Sequence, residues 1–187
     1  MNTSFNRLSL FAASMGTTAL IACAGGAVAQ ASDDFDVTVT TNAAISVACG
    51  QNLSFGTVYV AATNAEAVVS LTALGAISSD DPSVVVSGGT VGQCTIAGLQ
   101  GADTATLTLA GGAGVAAAGG LSDVELEDGA ANTLLADIQV DGGANVSGGK
   151  SGLANGVIPV FGSVTIPASH TDFGTYDATL TATVALD

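Results

Sequence analysis

Tyr176-Asp177-Ala178-Thr179-Leu180-Thr181-Ala182-Thr183-Val184-Ala185-Leu186-Asp187 alternates along its whole length. Tyr176, Ala178, Leu180, Ala182, Val184 and Leu186 share one parity, and Asp177, Thr179, Thr181 and Thr183 fall on the other. Successive side chains of a strand point to opposite faces, so this period of two predicts a half-buried β-strand over 176–186. An amphipathic helix would space its apolar residues by three and four in turn, and this strict period of two does not.

The same alternation recurs toward the other end of the chain. Phe35, Val37, Val39, Thr41, Ala43, Ile45, Val47 and Cys49 lie on one parity, against Asp36, Thr38, Thr40, Asn42, Ala44, Ser46, Ala48 and Gly50 on the other. At about 3.3 Å per residue this run would reach about 50 Å, longer than an ordinary strand. It therefore divides into an extended arm over 34–41 and a first domain strand over 43–49. Further strands are expected over 53–61, 66–72, 83–87, 90–97, 104–110, 132–141 and 159–166. Asp81-Pro82, Gly88-Gly89, Gly142-Gly143 and Gly148-Gly149 punctuate them. The nearly pure Gly and Ala stretch from Ala110 to Gly120 reads as a flexible loop or weak hairpin. Many short strands, 25 glycines and no amphipathic helix predict an all-β fold, a β-sandwich.

Residues 1–29 read as a signal peptide: Arg7 supplies the positive charge, 8–24 is mainly apolar, and Ala27-Val28-Ala29 is an A-x-A site with cleavage after Ala29. The expected organisation is a leader over 1–29, an N-terminal arm over 30–42 and a β-sandwich domain over 43–187. Export follows, through the periplasm to the cell surface or the extracellular space. Leu20-Ile21-Ala22-Cys23 supports an alternative, a lipid anchor at Cys23.

The chain carries 16 acidic residues against 2 basic ones, a formal charge of −14. Loss of Arg7 with the leader makes it more negative and leaves Lys150 as the remaining Lys or Arg. Such a chain has nothing with which to displace phosphate counterions, so nucleic acid is not an expected partner. Removal of Cys23 leaves Cys49 and Cys94, 45 residues apart. In an oxidising compartment two cysteines form one disulfide most simply, and the spacing is unlike the C-x-x-C of redox catalysts.

Chemistry is sparse. His170 is the single histidine, with Ser169 and Asp172 beside it, but a triad needs groups converging from separate elements. No G-x-S-x-G or H-E-x-x-H occurs, and the expectation is no enzyme, no cofactor and no metal. Asp123, Glu125, Glu127 and Asp128 form the best metal candidate, with hard oxygens suited to Ca²⁺. The run lacks the distal bidentate Glu of an EF-hand, and a solvated strand face accounts for it. Tyr59 and Tyr176 are the two tyrosines and tryptophan is absent, so platforms for stacking sugars are few.

Phe161-Gly162-Ser163-Val164-Thr165-Ile166-Pro167 followed by Gly174-Thr175-Tyr176-Asp177-Ala178-Thr179-Leu180-Thr181-Ala182-Thr183-Val184 resembles the close of the bacterial domain-of-unknown-function 4402 family. There a "GG-T-L-x-V" strand precedes "G-x-Y-x-G-x-x-x-V-x-V". Leu53-Ser54-Phe55-Gly56-Thr57-Val58 is similar to its "L-x-F-G-x-i" element. Ser163 and Ala178 stand where the family has glycines, and the Cys49 and Cys94 pair is closer to secreted pilin-like proteins related to spore coat protein U. The resemblance implies an immunoglobulin-like, pilin-like subunit of a surface filament or coat, assembled by β-strand addition in the chaperone–usher manner. It implies neighbouring copies or related subunits, a periplasmic chaperone and an outer-membrane usher as partners. Phe35, Val37 and Val39 would form the donor arm, and Tyr176, Leu180, Val184 and Leu186 the C-terminal pairing strand. The alternative is a self-complete secreted binding module or adhesin.

Overall fold

The computed structural model describes Ala44–Asp187. The leader, cleavage after Ala29, Cys23 and the arm residues Phe35, Val37 and Val39 lie outside the described residues. The described chain is all-β, with no helix. Its strands are β1 (Ser46–Gln51), β2 (Thr57–Val60), β3 (Ala67–Leu71), β4 (Ile77–Ser79), β5 (Val84–Ser87), β6 (Gly92–Ala97) and β7 (Ala105–Gly111). They continue as β8 (Val115–Ala117), β9 (Gly120–Glu127), β10 (Thr133–Val140), β11 (Ala144–Val146), β12 (Gly149–Leu153), β13 (Gly156–Ile166) and β14 (Leu180–Leu186).

The larger sheet runs β1-β6-β13-β10-β9-β8, with β3 on β13 and β4 on β3. A second sheet runs β11-β12-β7-β14, and β2 pairs with β5. Every pairing is antiparallel. β13 organises the larger sheet because it is long enough to serve two partners along one edge. Gly156–Val160 pair with β6, Gly162–Ile166 pair with β3, and the opposite edge pairs with β10.

Alternation along the strands places one core between the two larger sheets. β10 alternates strictly, with Leu134, Ala136, Ile138 and Val140 buried and their neighbours exposed. β7 contributes Ala105, Leu107 and Leu109 from the facing sheet, and β9 adds Val124. Apart from Cys94, the buried side chains of this core are aliphatic, at about 1.5–3 kcal/mol for each large one removed from water. The expected disulfide is formed: Cys49 and Cys94 sit opposite each other in register and join β1 to β6.

The structure departs from the expected strands in informative places. The stretch 110–120 is not a loose loop: it holds the end of β7, all of β8 and the start of β9. β11 and β12 occupy a glycine-rich stretch in which no strand was expected, and β4 is also additional. The expected strand over 53–61 shrinks to β2, preceded by an isolated Ser54–Thr90 bridge. The C-terminal strand begins at Leu180, so Tyr176 precedes it and is not one of its paired residues. Asp177 instead makes an isolated bridge with Glu127.

Asn64 is the one buried polar side chain among the described residues, and it closes a junction far apart in sequence. Its Nδ2 donates to the carbonyls of Ala65 at 2.6 Å and Pro167 at 2.8 Å, and its Oδ1 accepts from the His170 N–H at 3.1 Å. Truncation would orphan the Pro167 carbonyl and the His170 N–H, each costing about 1–3 kcal/mol where water cannot reach. Asn64→Ala is expected to lower stability by about 2–3 kcal/mol, read from the urea midpoint. A midpoint equal to the parent's would show that the junction is held by other contacts.

Candidate functional site: an open cleft between two edge strands

The inward face of β14 differs from that of the other long strands. Leu180, Ala182 and Val184 are only half-buried, whereas the inward residues of β10 are buried throughout. β1 and the residue that precedes it repeat this on the other side, with Ile45 and Val47 half-buried. β1 pairs only with β6 and β14 only with β7, so each ends its sheet with one edge unpaired among the described residues. The two strands approach each other within 8 Å at places along their length.

Between them lies a cleft of about 870 Å³. Packed interiors hold few voids larger than one water, whose share of liquid is about 30 Å³, so this is not a packing defect. Leu109, Val124, Leu134, Ile138 and Val164 lie at its floor. One wall is the end of β1 and the segment after it, where Leu53, Phe55 and Val58 are half-buried. The other wall is formed by Tyr176, Ala178, Leu180 and Ala182.

The segment between β13 and β14 makes the rim of the second wall. The Asn64 junction fixes its start, and the Glu127–Asp177 bridge, with backbone bonds of 3.0 Å in both directions, fixes its end. His170 lies 6.0 Å from the rings of both Phe173 and Tyr176. Its packing is thus with aromatic side chains of the same rim. Phe173 remains 71% exposed beside the cleft. The Tyr176 hydroxyl donates to the Asp172 carbonyl at 2.5 Å. Burial first, and then the nearby Asp128 and Asp172 carboxylates, push the Tyr176 phenol above its ordinary value.

The acidic run falls on β9 and the turn after it. Asp123, Glu125 and Glu127 alternate with Val124 and Leu126 and are exposed, which is the solvated strand face expected of them. Asp128 organises the β9–β10 turn. Its carboxylate accepts from the Asn132 amide at 2.7 Å, the Ala130 N–H at 2.8 Å and the Asn132 N–H at 3.1 Å. These bonds hold its carboxyl below the ordinary 3.8, the Asn132 side chain being the largest cause. Asp81 is lowered by the Ser83 hydroxyl and N–H, and Asp187 by the Thr106 hydroxyl and the Gly152 N–H.

A carboxylate with a lowered folded value contributes its full stabilisation above its unfolded value and loses it as pH falls through the folded one. The melting temperature is therefore expected to hold from about pH 6 to about pH 4 and to fall below that. Asp128→Asn, which does not titrate there, should show a shallower acid decline. An identical decline in parent and variant would remove Asp128 as a contributor.

Of the residues singled out in the sequence, Leu180 and Tyr176 line the cleft directly, and Cys49 and Cys94 also border it. Val184 lies further along β14 on the same face, and Leu186 is 60% exposed. Tyr59 is exposed and pairs across β2–β5 with Val85, away from Tyr176 in register and sheet. The floor residues Leu109, Val124 and Ile138 carry no sequence signal that separates them from ordinary core. Their alternation is the same whether the layer above them is present or missing. No family model, curated protein or solved structure matches this chain.

Proposed function

We propose that this protein is a structural subunit of a surface filament or coat, an immunoglobulin-like, pilin-like domain completed by a β-strand from a neighbouring copy. The observation that carries this reading is the cleft, apolar at its floor and flanked by the edge of β14 that is unpaired among the described residues. An unpaired edge offers a row of N–H and C=O groups, and an extended segment added there satisfies them while alternate side chains enter the floor.

The chain's own residues before Ala44 supply a segment of that kind. Phe35, Val37 and Val39 are spaced by two, with Asp36 and Thr38 between them. Each apolar side chain moved from water into the cleft would contribute about 1.5–3 kcal/mol. The direction of the chain favours another copy as the acceptor. The Ala44 carbonyl lies against Gly98, and the Asp187 N–H bonds to Thr104 at 3.1 Å, so β1 begins and β14 ends beside the same loop. Most of the residues that line the walls of the cleft lie at the other end, over 51–58 and 172–180. Ala44, the first described residue, thus lies at the end away from that lining, and a neighbour's cleft is the acceptor this reading gives to the segment before it.

Deletion of 33–41 is expected to leave the domain folded and to abolish oligomers or filaments, as seen by electron microscopy and sedimentation. A synthetic peptide of the same residues, added in excess, should bind the deleted protein and raise its melting temperature. Normal assembly of the deleted protein would sink strand donation. A peptide without effect, together with a full-length protein that stays a stable monomer, would favour the self-complete binding module.

A further inference from the structure

Two segments of the chain carry one pattern. Leu109-Ala110-Gly111-Gly112-Ala113 is followed by Gly119-Gly120, and Val140-Asp141-Gly142-Gly143-Ala144 is followed by Gly148-Gly149. Each builds a long strand, a glycine turn, a three-residue strand, a second glycine turn and a returning strand: β7–β8–β9 and β10–β11–β12. The backbone repeats as well. Gly112 and Gly143 have φ of 56° and 52°, and Gly119 and Gly148 have φ of 87° and 78°.

The two copies hold each other reciprocally. The Leu109 N–H bonds to the Gly148 carbonyl at 2.9 Å, and the Val140 N–H to the Gly119 carbonyl at 3.0 Å. The Gly119 N–H bonds to Val146 at 3.0 Å, and the Gly148 N–H to Ala117 at 2.8 Å. The returning strand of each copy pairs with the first strand of the other, Gly120 opposite Gln139 and Gly149 opposite Thr108. An Ala118–Ser147 bridge joins the two tips. This is the pattern of an approximate two-fold exchange within one chain.

Its place in the fold gives the exchange a consequence. The larger sheet runs from β1 to β8, and the second from β11 to β14. The β8 and β11 edges are stitched by the reciprocal bonds, while the β1 and β14 edges flank the cleft. One seam of the two-layer fold is closed, and the other is open.

We propose that the β7–β12 exchange is a clasp that holds the domain folded while the opposite seam is empty, so that the chain reaches its cleft-open state without a folding chaperone. Backbone-to-backbone closure is the reason. The stitched seam needs no donated strand, and its bonds are made by residues of one continuous segment. All of them lie within 105–153, whereas β14 pairs with β7 across 69 to 81 residues of chain. Among the described residues the most protected amides belong to this segment, and β1 and β14 open independently of it.

The test is to unfold the isolated, disulfide-intact protein in guanidinium and to refold it alone, following its backbone amides by hydrogen exchange. Recovery of a soluble monomer is expected, with the amides of Leu109, Gly119, Val140 and Gly148 exchanging about a hundredfold more slowly than those of Ser46–Gln51 and Leu180–Leu186. Aggregation on refolding alone would overturn the proposal, as would equal exchange at the two seams. Repeating the exchange with the 33–41 peptide separates this proposal from strand donation. Bound peptide should slow β14 and leave the order within the clasp unchanged, and an inert peptide counts against donation while leaving the clasp standing.

Discussion

Gly149→Ala is expected to cost about 4 kcal/mol or more, a loss in the range that marks a specific structural conflict. A Cβ at this position would lie 1.8 Å from the Leu107 carbonyl oxygen, 2.9 Å from its carbon and 3.0 Å from the Thr108 Cα. All three are backbone atoms of the paired strand β7, so no rotamer change can relieve the contact. The effect is steric rather than conformational, since the glycine's φ lies outside the left-handed region. Gly120→Ala should behave alike, its Cβ falling 1.9 Å from the Ile138 oxygen on the other half of the clasp.

The control is Gly50→Ala in β1, where nothing lies within 4 Å and no positive φ is needed. It should stay within about 0.5 kcal/mol of the parent. For a domain of this size a loss of 4 kcal/mol lowers the melting temperature by roughly 8–16 °C. Thermal denaturation of the three variants checks the expectation. Gly149→Ala and Gly50→Ala melting together would refute the close strand approach that the clasp requires.

The second large effect is expected from reduction of Cys49–Cys94. The bond closes a loop of sequence separation 45, worth about 4 kcal/mol in the chain-entropy account. Its position adds a local consequence. β1 has only β6 as a strand partner, so the disulfide is the covalent hold on one wall of the cleft. The paired variant Cys49→Ser, Cys94→Ser should melt roughly 8–16 °C below the parent, with exchange quickening first in Ser46–Gln51. Equal melting of reduced and oxidised protein would show that β1 is held by its packing alone.

These two expectations draw on features that were unequally visible in the chain. The disulfide was legible because the expected loss of Cys23 with a leader would leave two cysteines, and those two meet in register on neighbouring strands. The clasp was not. Hydrophobic alternation is a signal carried by side chains, and the turns that make the clasp are built on glycines, whose part is to let backbones approach. Gly142-Gly143 and Gly148-Gly149 were readable as punctuation, but not as turns that interlock with those at Gly111-Gly112 and Gly119-Gly120.

The alternation over 176–186 shows the same division. By itself it determined that the segment is extended, with one apolar and one polar face, because a strand exposes its residues in strict turn. It overran the paired region by four residues, since Tyr176 to Thr179 keep two environments without a ladder. That Leu180, Ala182 and Val184 are only half-buried was beyond its reach. Burial depends on what stands opposite a strand, and the facing edge here is β1, more than a hundred residues earlier in the chain. The all-β class was therefore written in local period. The open seam, its apolar floor and the clasp across from it were decided by tertiary structure, through contacts that no single stretch of sequence contains.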